Sequence, residues 1–462
     1  MRQLVNIVGA GLAGALLAVR LSRRGFTVRL FERRPDPRTS AAERGRSINL
    51  ALASRGIRAL ESAGVMDRIH PMLIPMRGRM IHEPGAPPTL QPYGQRADEV
   101  IYSVERAQLN RVLIEEAARH PGVTLRFGQA CVGIQPERDV LRFRDAQGGE
   151  YELGLTPTIA TDGAGSVIRN ALAASGHLKV REEWLDHDYK ELTFPPAQGR
   201  HALDPHALHV WPRVGFMLIA LPNTDASFTA TLFLARSGPL SFASLASPEA
   251  VAQFFRSEFP DAVPLLPNLT REFAAHPAGQ LGTVHAAPWR VGGQVLLLGD
   301  AAHAIVPFHG QGMNAAFEDC ALLDSLLDGH GDWETLFEAF ERSRRADAEA
   351  IARMAVENYA EMRAAVLDPG FVRRRALALE LERQFPDRFI PRYAMVMFHP
   401  EISYGEALRR GAIQEQILLE LDGETDRATS ARNRPAAGIG PGGASSDLAR
   451  AAALINSRLP AL

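Results

Sequence analysis

The stretch LVNIVGAGLAGALLAVRLSRRGFTVRLFE, residues 4–32, decides the fold of this chain. Residues 5–8 are a short apolar run, which predicts a buried strand. Residues 12–24 carry leucines at helical spacing, and the glycine that follows is typical of a helix end. Residues 27–32 are rich in β-favouring side chains and predict a second strand. A strand–helix–strand order indicates two parallel strands joined by a right-handed crossover.

Glycines at the first strand–helix turn predict a dinucleotide site. Gly9, Gly11 and Gly14 form the pattern G-x-G-x-x-G, and Glu32 ends the second strand. The first glycine permits a tight turn, the second lets a diphosphate approach the backbone, and the third lets helix and strand pack closely. The unpaired N–H groups at the helix start attract the diphosphate. Glu32 is expected to accept hydrogen bonds from the ribose hydroxyls.

Composition narrows the class of protein. The chain has 462 residues, of which 46% are hydrophobic and 23% charged, and its formal net charge is −2. The length indicates more than one domain, and the near-neutral charge argues against nucleic acid as the main partner. The two cysteines, Cys131 and Cys320, are too few for a disulfide scaffold or a Cys-based metal site and fit a reducing cytoplasm. We expect no metal, no membrane span and a cytoplasmic location.

Patterns further along the chain predict more strands and helices. Strands are expected at 123–127, 140–144 and 295–298, and an antiparallel meander at 207–211, 215–221 and 228–234. Helices are expected at 108–119, 166–174, 314–327, 333–358, 373–384 and 404–421.

The end of the chain has a different composition. Residues 422–447 are polar, rich in Gly, Pro, Ala and Ser, and lack aromatic side chains. This composition is typical of a linker or a loosely packed extension, and 448–459 is a candidate for a short amphipathic helix. A second G-x-G-x-x-G at 438–443 follows no strand and contains a proline, so we reject it as a nucleotide site. We expect this tail to add little to the core.

Two further motifs suggest which dinucleotide is bound. Residues 162–169 read D-G-x-x-S-x-x-R, and Gly299-Asp300 follows an apolar strand and leads into a glycine loop at 310–314. With the first glycine motif, they resemble the single-component FAD-dependent aromatic hydroxylases. The resemblance implies that the first motif holds the ADP part of FAD, that Asp300 binds the ribityl chain, and that the loop lies against the isoalloxazine ring. The residues it assigns to FAD are Gly9, Gly11, Gly14, Glu32, Arg34, Arg106, Asp162, Asp300, Pro307, Gly312, Met313 and Asn314.

Shorter stretches narrow the resemblance to the kynurenine 3-monooxygenases of the soluble bacterial type. These stretches lie at 45–52, 76–80, 90–94, 307–314, 357–359 and 393–399. The resemblance implies that NADPH reduces FAD and that the reduced flavin forms a C4a-hydroperoxide with O2. Its distal oxygen then passes to the carbon of L-kynurenine ortho to the amino group, giving 3-hydroxykynurenine. The preference for NADPH over NADH rests on the resemblance. Whether the product belongs to tryptophan degradation or to quinolinate and NAD synthesis stays open.

The substrate suggests two kinds of pocket wall. A guanidinium binds a carboxylate through two hydrogen bonds, so Arg79 suits the amino-acid end, and the resemblance adds Tyr93, Asn358 and Tyr393. An apolar slot suits the ring, and the residues assigned to that side are Leu208, Met217, Ile219, Leu221, Phe233, Phe308, His309 and Gln311.

Two expectations concern the chemistry of the ring side. Gln311 is expected to donate a hydrogen bond to the ketone of the substrate. We expect no covalent nucleophile. His309 is not needed as a base, because the aniline nitrogen already activates the ring.

The expected fold class is α/β, with a Rossmann-like FAD-binding domain, a substrate domain built on an antiparallel sheet, and a helical C-terminal region. The FAD-binding domain is expected from 1–75, 101–175 and 286–365, and the substrate domain from 76–100 and 176–285. The C-terminal region is expected at 366–421 and the tail at 422–462. Two alternatives stay open, namely hydroxylation of another aromatic acid and a non-catalytic FAD-binding protein that responds to redox state.

Overall fold

A computed structural model of the chain describes residues 3–39, 49–363, 368–431 and 442–461. Residues 45–48 of one quoted stretch and 438–441 of the rejected glycine pattern lie outside the described residues. Within the described residues the strands are β1 (Leu4–Val8), β2 (Thr27–Glu32), β3 (Asn49–Leu52), β4 (Ile74–Met76), β5 (Gly78–Ile81), β6 (Thr89–Pro92), β7 (Ile101–Glu105), β8 (Val123–Phe127), β9 (Ala130–Gln135), β10 (Val140–Arg144), β11 (Glu150–Gly154), β12 (Thr158–Ala160), β13 (Lys179–Phe194), β14 (Leu208–Arg213), β15 (Phe216–Pro222), β16 (Phe228–Ala235), β17 (Gly279–Ala287), β18 (Arg290–Val291) and β19 (Val295–Leu297).

The helices cover the sheets and form the C-terminal part of the chain. They are α1 (Leu12–Arg23), α2 (Ser54–Ser62), α3 (Met66–Ile69), α4 (Arg106–Arg119), α5 (Val167–Ala174), α6 (Pro248–Glu258), α7 (Leu269–Ala275), α8 (Asp300–His303), α9 (Gly312–Leu326), α10 (Trp333–Arg363), α11 (Pro369–Gln384), α12 (Arg392–Phe398), α13 (Tyr404–Ala431) and α14 (Gly442–Arg458). None of these helices, as far as the structure describes them, is long and apolar enough to cross a membrane.

A six-stranded sheet contains the opening strand–helix–strand unit, as the sequence predicted. Its order is β18-β19-β12-β1-β2-β8, and the pairs from β19 to β8 are parallel. The buried positions of strand β1 are apolar apart from Asn6, since a parallel strand covered on both faces has no water-facing side. Helix α1 packs against α4 and α9, and one continuous core joins the sheet to these helices.

A seven-stranded sheet forms the second layer. Its order is β17-β13-β16-β15-β14-β5-β6. The predicted meander is present as β14, β15 and β16, and the pair β14–β5 is the parallel one in an otherwise antiparallel sheet. One face packs on α6 and α7 around a separate apolar core. The other face turns toward α10 and the segment 305–308.

These sheets agree with the fold class expected from the sequence, an α/β FAD-binding domain with a largely antiparallel second sheet and a helical C-terminal region. The domain boundaries remain our proposal. Every strand of the six-stranded sheet falls in 1–75, 101–175 or 286–365, and the seven-stranded sheet falls in 76–100 and 176–285 except for the last residues of β17.

The C-terminal helix corrects one expectation. We expected residues 422–462 to contribute little to the core, but α14 carries Ala451 and Ile455 into an apolar cluster, followed by Leu459, and all three are buried. The cluster also contains side chains of α11 and α13. The composition of the tail as a whole did not predict this packing. Three apolar residues spaced four apart are enough to pack a helix against its neighbours. The helix predicted at 448–459 is therefore part of a packed unit.

Candidate active site

The glycine turn after β1 has the geometry that a dinucleotide needs. Gly9 has a φ of +104°, and a Cβ there would lie 2.5 Å from the backbone oxygen of Thr161. A Cβ on Gly14 would collide with the backbone oxygen of Gly9. Gly11 differs, because a Cβ there would meet no atom within 4 Å. Two glycines therefore close the turn tightly, and the third faces the open space that a diphosphate would fill.

Glu32 lies at the end of β2 beside this turn. Its carboxylate accepts a hydrogen bond from the backbone N–H of Ala10 at 3.0 Å and, on the other oxygen, from Arg34 Nε at 2.8 Å. Burial raises the pKa of Glu32, but the hydrogen bonds and charge of Arg34 outweigh burial and hold the pKa below its ordinary value. Glu32 is therefore an anionic acceptor at neutral pH, as a ribose site requires.

Asp300 is the acidic residue of the Gly299-Asp300 motif and begins α8 directly after Gly299. Gly299 has a φ of +62°, which places Asp300 at a sharp turn off β19. No donor within the described part of the chain hydrogen-bonds its carboxylate, and a Cβ on Gly312 would lie 3.9 Å from its Oδ1. A half-buried carboxylate without a protein donor is suited to a ligand hydroxyl. These features fit an FAD ribityl chain.

The D-G-x-x-S-x-x-R motif caps a helix. Asp162 accepts hydrogen bonds from the Ser166 hydroxyl at 2.6 Å and from the backbone N–H of Val167 at 2.8 Å. Arg169, which is buried, donates to the backbone oxygen of Ala301 at 3.2 Å. The motif therefore fastens α5 to the turn that carries Asp300. Both Asp162 oxygens are occupied by protein donors, so its contribution to a cofactor site would act through this turn.

The remaining predicted FAD residues differ in what they contact. Asn314 donates to the backbone oxygens of Ala51 and Gly310 at 2.9 and 2.8 Å and accepts from the N–H of Ala53 at 3.0 Å. It therefore fastens the glycine loop to β3. Met313 is buried and Arg106 is exposed at the first turn of α4. Pro307 begins a short 3-10 turn that leads into the loop.

Three of the four predicted carboxylate ligands, Arg79, Tyr93 and Tyr393, come together from distant parts of the chain. Arg79 on β5 lies with its guanidinium carbon 4.9 Å from the ring centre of Tyr393 and 6.0 Å from that of Tyr93. The two tyrosine rings stack at 5.7 Å. Asn358 on α10 donates to the backbone oxygen of Phe308 at 2.6 Å. The buried Arg79 Nε has no hydrogen-bond partner, which is the state expected of a donor that awaits a ligand.

His309 lies beside this group. Its ring stacks on Tyr393 with 5.2 Å between centres, and its buried Nδ1 has no hydrogen-bond partner. Burial, together with nearby arginine charges that include Arg79, lowers the pKa of His309 to about 3. The imidazole is therefore neutral at physiological pH and can exchange hydrogen bonds with a neutral group.

The predicted apolar slot is also assembled. Met217 on β15 and Phe233 on β16 are directly opposite one another, and the Phe233 ring lies 5.0 Å from that of Phe308. Leu208 on β14 is the register partner of Arg79 on β5, so the apolar slot lies next to the arginine. The side chains that pack together on this face are Leu208, Met217, Ile219, Leu221, Phe233 and Phe308.

Gln311 does not face this slot. It is fully buried, its Oε1 accepts a hydrogen bond from the Tyr404 hydroxyl at 2.8 Å, and its Nε2 donates to Met397 Sδ at 3.0 Å. Both ends of the Gln311 amide are therefore hydrogen-bonded to protein groups, and this arrangement does not present the amide to a substrate ketone as we expected. The reason is tertiary, because α13 brings a phenol to the loop from 93 residues away.

Two residues beside the predicted ligands were not predicted from the sequence. Glu361 lies 3.6 Å from Arg79 Nη1, and the Tyr359 ring stacks on Phe308 at 3.9 Å. Both are on α10 within three residues of Asn358, so the helical period could have pointed to Glu361. Within the described residues no group of His, Cys, Asp and Glu is placed to hold a metal ion.

Comparisons with known proteins agree with this geometry. The model of a family described as FAD binding domain matches residues 2–355. The kynurenine 3-monooxygenase of Myxococcus xanthus (strain DK1622) is 46% identical over 458 residues, 98% of this chain and 95% of that protein. The chain belongs to the kynurenine 3-monooxygenase family. A second member of the family, from Xanthomonas campestris pv. campestris (strain 8004), is 46% identical over 425 residues, 91% of this chain and 93% of that protein.

Membership makes this chain an FAD-dependent monooxygenase, and the prediction of FAD as its cofactor is confirmed. Solved structures show the same fold at low identity. A tetrameric 2-methyl-3-hydroxypyridine-5-carboxylic acid oxygenase has a TM-score of 0.62 at 20% identity and covers 80% of this chain and 94% of that one. The p-nitrophenol 4-monooxygenase of Pseudomonas putida DLL-E4 has a TM-score of 0.64 at 18% identity and covers 91% and 98%.

Proposed function

We propose that this family member hydroxylates L-kynurenine to 3-hydroxykynurenine with NADPH and O2 as co-substrates. The observation that carries the proposal is a buried arginine with an unpartnered Nε, flanked by two tyrosines and set at the end of an apolar slot. A compact phenolic acid would not span both features, whereas kynurenine has a carboxylate and an aromatic ring at opposite ends.

Arg79 would bind the carboxylate of the substrate. The guanidinium offers paired donors, and burial removes competing water, so each charge-assisted hydrogen bond is strong. Tyr93 and Tyr393 add neutral donors: burial raises the pKa of both phenols, Tyr393 raises that of Tyr93 further, and the nearby Arg79 charge only partly offsets these effects. Glu361 balances part of the arginine charge. The substrate is thereby held in one orientation.

FAD, once bound and reduced, supplies the activated oxygen, and the protein supplies orientation and a dry cavity. Phe308 and Phe233 close the ring side with apolar surface. The aniline nitrogen makes the ring nucleophilic, so no side chain needs to remove a proton before oxygen transfer. His309 is neutral and would serve as a hydrogen-bonding wall of the pocket rather than as a base.

The proposal extends to partners and location. The small molecules L-kynurenine, NADPH and O2 are the partners we propose, with no role for nucleic acid. Cys131 and Cys320 are both free thiols, which fits a reaction in the reducing cytoplasm, where NADPH is supplied.

One experiment separates this proposal from its alternatives. Purified protein is loaded with FAD and incubated with NADPH and L-kynurenine, and the product is identified by mass and by its fragmentation. Addition of one oxygen atom ortho to the amino group is expected. Hydroxylation of a salicylate-like acid but not of kynurenine would favour the other aromatic acids. NADPH oxidation that responds to no aromatic acid would favour a non-catalytic flavoprotein.

A further inference from the structure

The Gln311 side chain lies in a buried polar network behind the pocket, and its orientation follows from its partners. Met397 Sδ has no hydrogen and can only accept, so the Gln311 amide nitrogen must face it, 3.0 Å away. The amide oxygen then faces the Tyr404 hydroxyl at 2.8 Å, and the phenol must donate. A thioether is a weak acceptor, so the phenol is the stronger of the two contacts.

Tyr404 is held in place independently of this contact. It is fully buried at the start of α13, and the Arg55 guanidinium carbon lies 4.1 Å from its ring centre, with that of Arg344 at 5.4 Å. Arg55 also donates to the backbone oxygen of Val396 at 2.8 Å, which joins α2 to α12. Burial and the nearby Glu318 carboxylate raise the pKa of Tyr404 well above its ordinary value. The phenol therefore remains a donor at any working pH.

Besides the hydrogen bond from Asn314 to the backbone oxygen of Gly310, two further side chains donate hydrogen bonds to the segment from Pro307 to Gln311. On the pocket side Asn358 donates to the backbone oxygen of Phe308 at 2.6 Å. On the far side Tyr404 donates to Gln311. Gly310, between these points, has a φ of +65°, a conformation that other residues rarely adopt. His309, which stacks on Tyr393, lies between the attachments of Asn358 and Tyr404, so both contribute to its position.

We propose that Tyr404 is a positioning residue of this monooxygenase: through Gln311 it holds the segment that carries Phe308 and His309 against the substrate pocket. The inference rests on the proposed kynurenine hydroxylation. It assigns a role in the reaction to a residue of α13 that acts through its hydrogen bond to Gln311.

The Tyr404→Phe variant tests the proposal, because it removes only the hydroxyl and keeps the ring that Arg55 and Arg344 contact. The FAD content per chain is expected to stay full. The dissociation constant of kynurenine, measured from the flavin absorbance, is expected to rise by about threefold or more, and the yield of 3-hydroxykynurenine per NADPH to fall by about as much. Hydrogen peroxide should account for the NADPH that gives no product.

Tyr151→Phe is the matched control. The Tyr151 hydroxyl also donates to a glutamine oxygen, that of Gln129, at 2.6 Å, but on the exposed surface of the sheet β9–β11. Its loss should change neither the kynurenine dissociation constant nor the product yield. An equal response of the two variants, or no response of Tyr404→Phe, would overturn the positioning role.

A second variant keeps the test decisive if Tyr404→Phe folds poorly. Gln311→Leu removes the same hydrogen bond from the other end, and it should reproduce the loss of binding and of yield. The double variant should be no worse than either single one, since both remove one interaction. Additive losses, or a Gln311→Leu enzyme with unchanged binding and yield, contradict the proposal. A wild-type enzyme that forms no 3-hydroxykynurenine would instead overturn the proposed function.

Discussion

The nucleotide side and the substrate side of this enzyme are built in different ways. The glycine turn, Glu32 and Arg34 lie within 26 residues of one another, and the backbone geometry of the turn shapes most of this site. The predicted carboxylate ligands Arg79, Tyr93, Asn358 and Tyr393 lie far apart in the chain, and only the tertiary fold brings Arg79, Tyr93 and Tyr393 into contact. A local site depends on whether a side chain fits, whereas an assembled site depends on whether distant helices are held in place.

The largest expected effect distinguishes two glycines of the same turn. Gly14→Val should destabilise the fold by more than about 4 kcal/mol, because its Cβ would collide with the Gly9 backbone. Gly11→Val should leave the FAD-free fold within about 1 kcal/mol of wild type, since its Cβ meets only open space, yet it should abolish FAD binding. Denaturant unfolding and flavin absorbance measure the two effects. A Gly11→Val protein with full flavin content would show that FAD binds elsewhere.

On the substrate side, Arg79→Ala should weaken kynurenine binding by about 2–5 kcal/mol, because a buried carboxylate would lose its countercharge. FAD content should not change. Arg79→Lys should restore binding only in part, since an ammonium keeps the charge without the planar fork. Titration of the flavin absorbance with kynurenine measures this effect. An unchanged dissociation constant for Arg79→Ala would remove the arginine from the site.

The C-terminal helix should matter for stability and not for chemistry. Ile455 is fully buried in the cluster formed with α11 and α13, so Ile455→Ala should lower the free energy of unfolding by about 2–4 kcal/mol. The exposed Leu419 on α13 offers a control, and Leu419→Ala should change it by less than about 0.5 kcal/mol. Equal effects of the two substitutions would show that α14 is not packed as described.

Asp300→Ala should affect only the nucleotide side. A charged acceptor for a ribityl hydroxyl contributes about 1.5–3 kcal/mol, so FAD should bind more weakly by roughly that amount. At saturating FAD the kynurenine dissociation constant should match wild type. Fluorescence titration of the FAD-free protein gives the first value. A variant that loses kynurenine affinity as well would show that the two sides are coupled more closely than their contacts suggest.

The smallest expected effect at neutral pH concerns His309 on the substrate side. Its pKa is lowered to about 3 in the folded protein, so below the ordinary pKa of about 6.5 the unfolded chain binds a proton that the folded protein does not. Stability should therefore fall as the pH is lowered from about 6.5, by up to about 1.4 kcal/mol per pH unit. His309→Asn should make this dependence shallower between pH 6.5 and 5. An unchanged slope would show that this imidazole is protonated in the folded state.

The sequence by itself determined the nucleotide side and the class of fold. An apolar run, helical spacing and β-favouring side chains predicted β1, α1 and β2 to within one residue, and the glycine pattern predicted the open space at Gly11. These features depend on residues close in the chain, where backbone sterics and periodicity act directly. The identity of the four predicted carboxylate ligands came from resemblance to a family, because nothing in their spacing says that they meet.

Only the tertiary structure decided how the substrate side is held. It showed that Gln311 turns away from the slot toward Tyr404, that Glu361 accompanies Arg79, and that α14 is seated on α11 and α13. Each of these contacts joins residues tens to hundreds of positions apart. Their partners are chosen by the packing of whole helices, and a packing geometry is a property of many side chains together rather than of any local pattern.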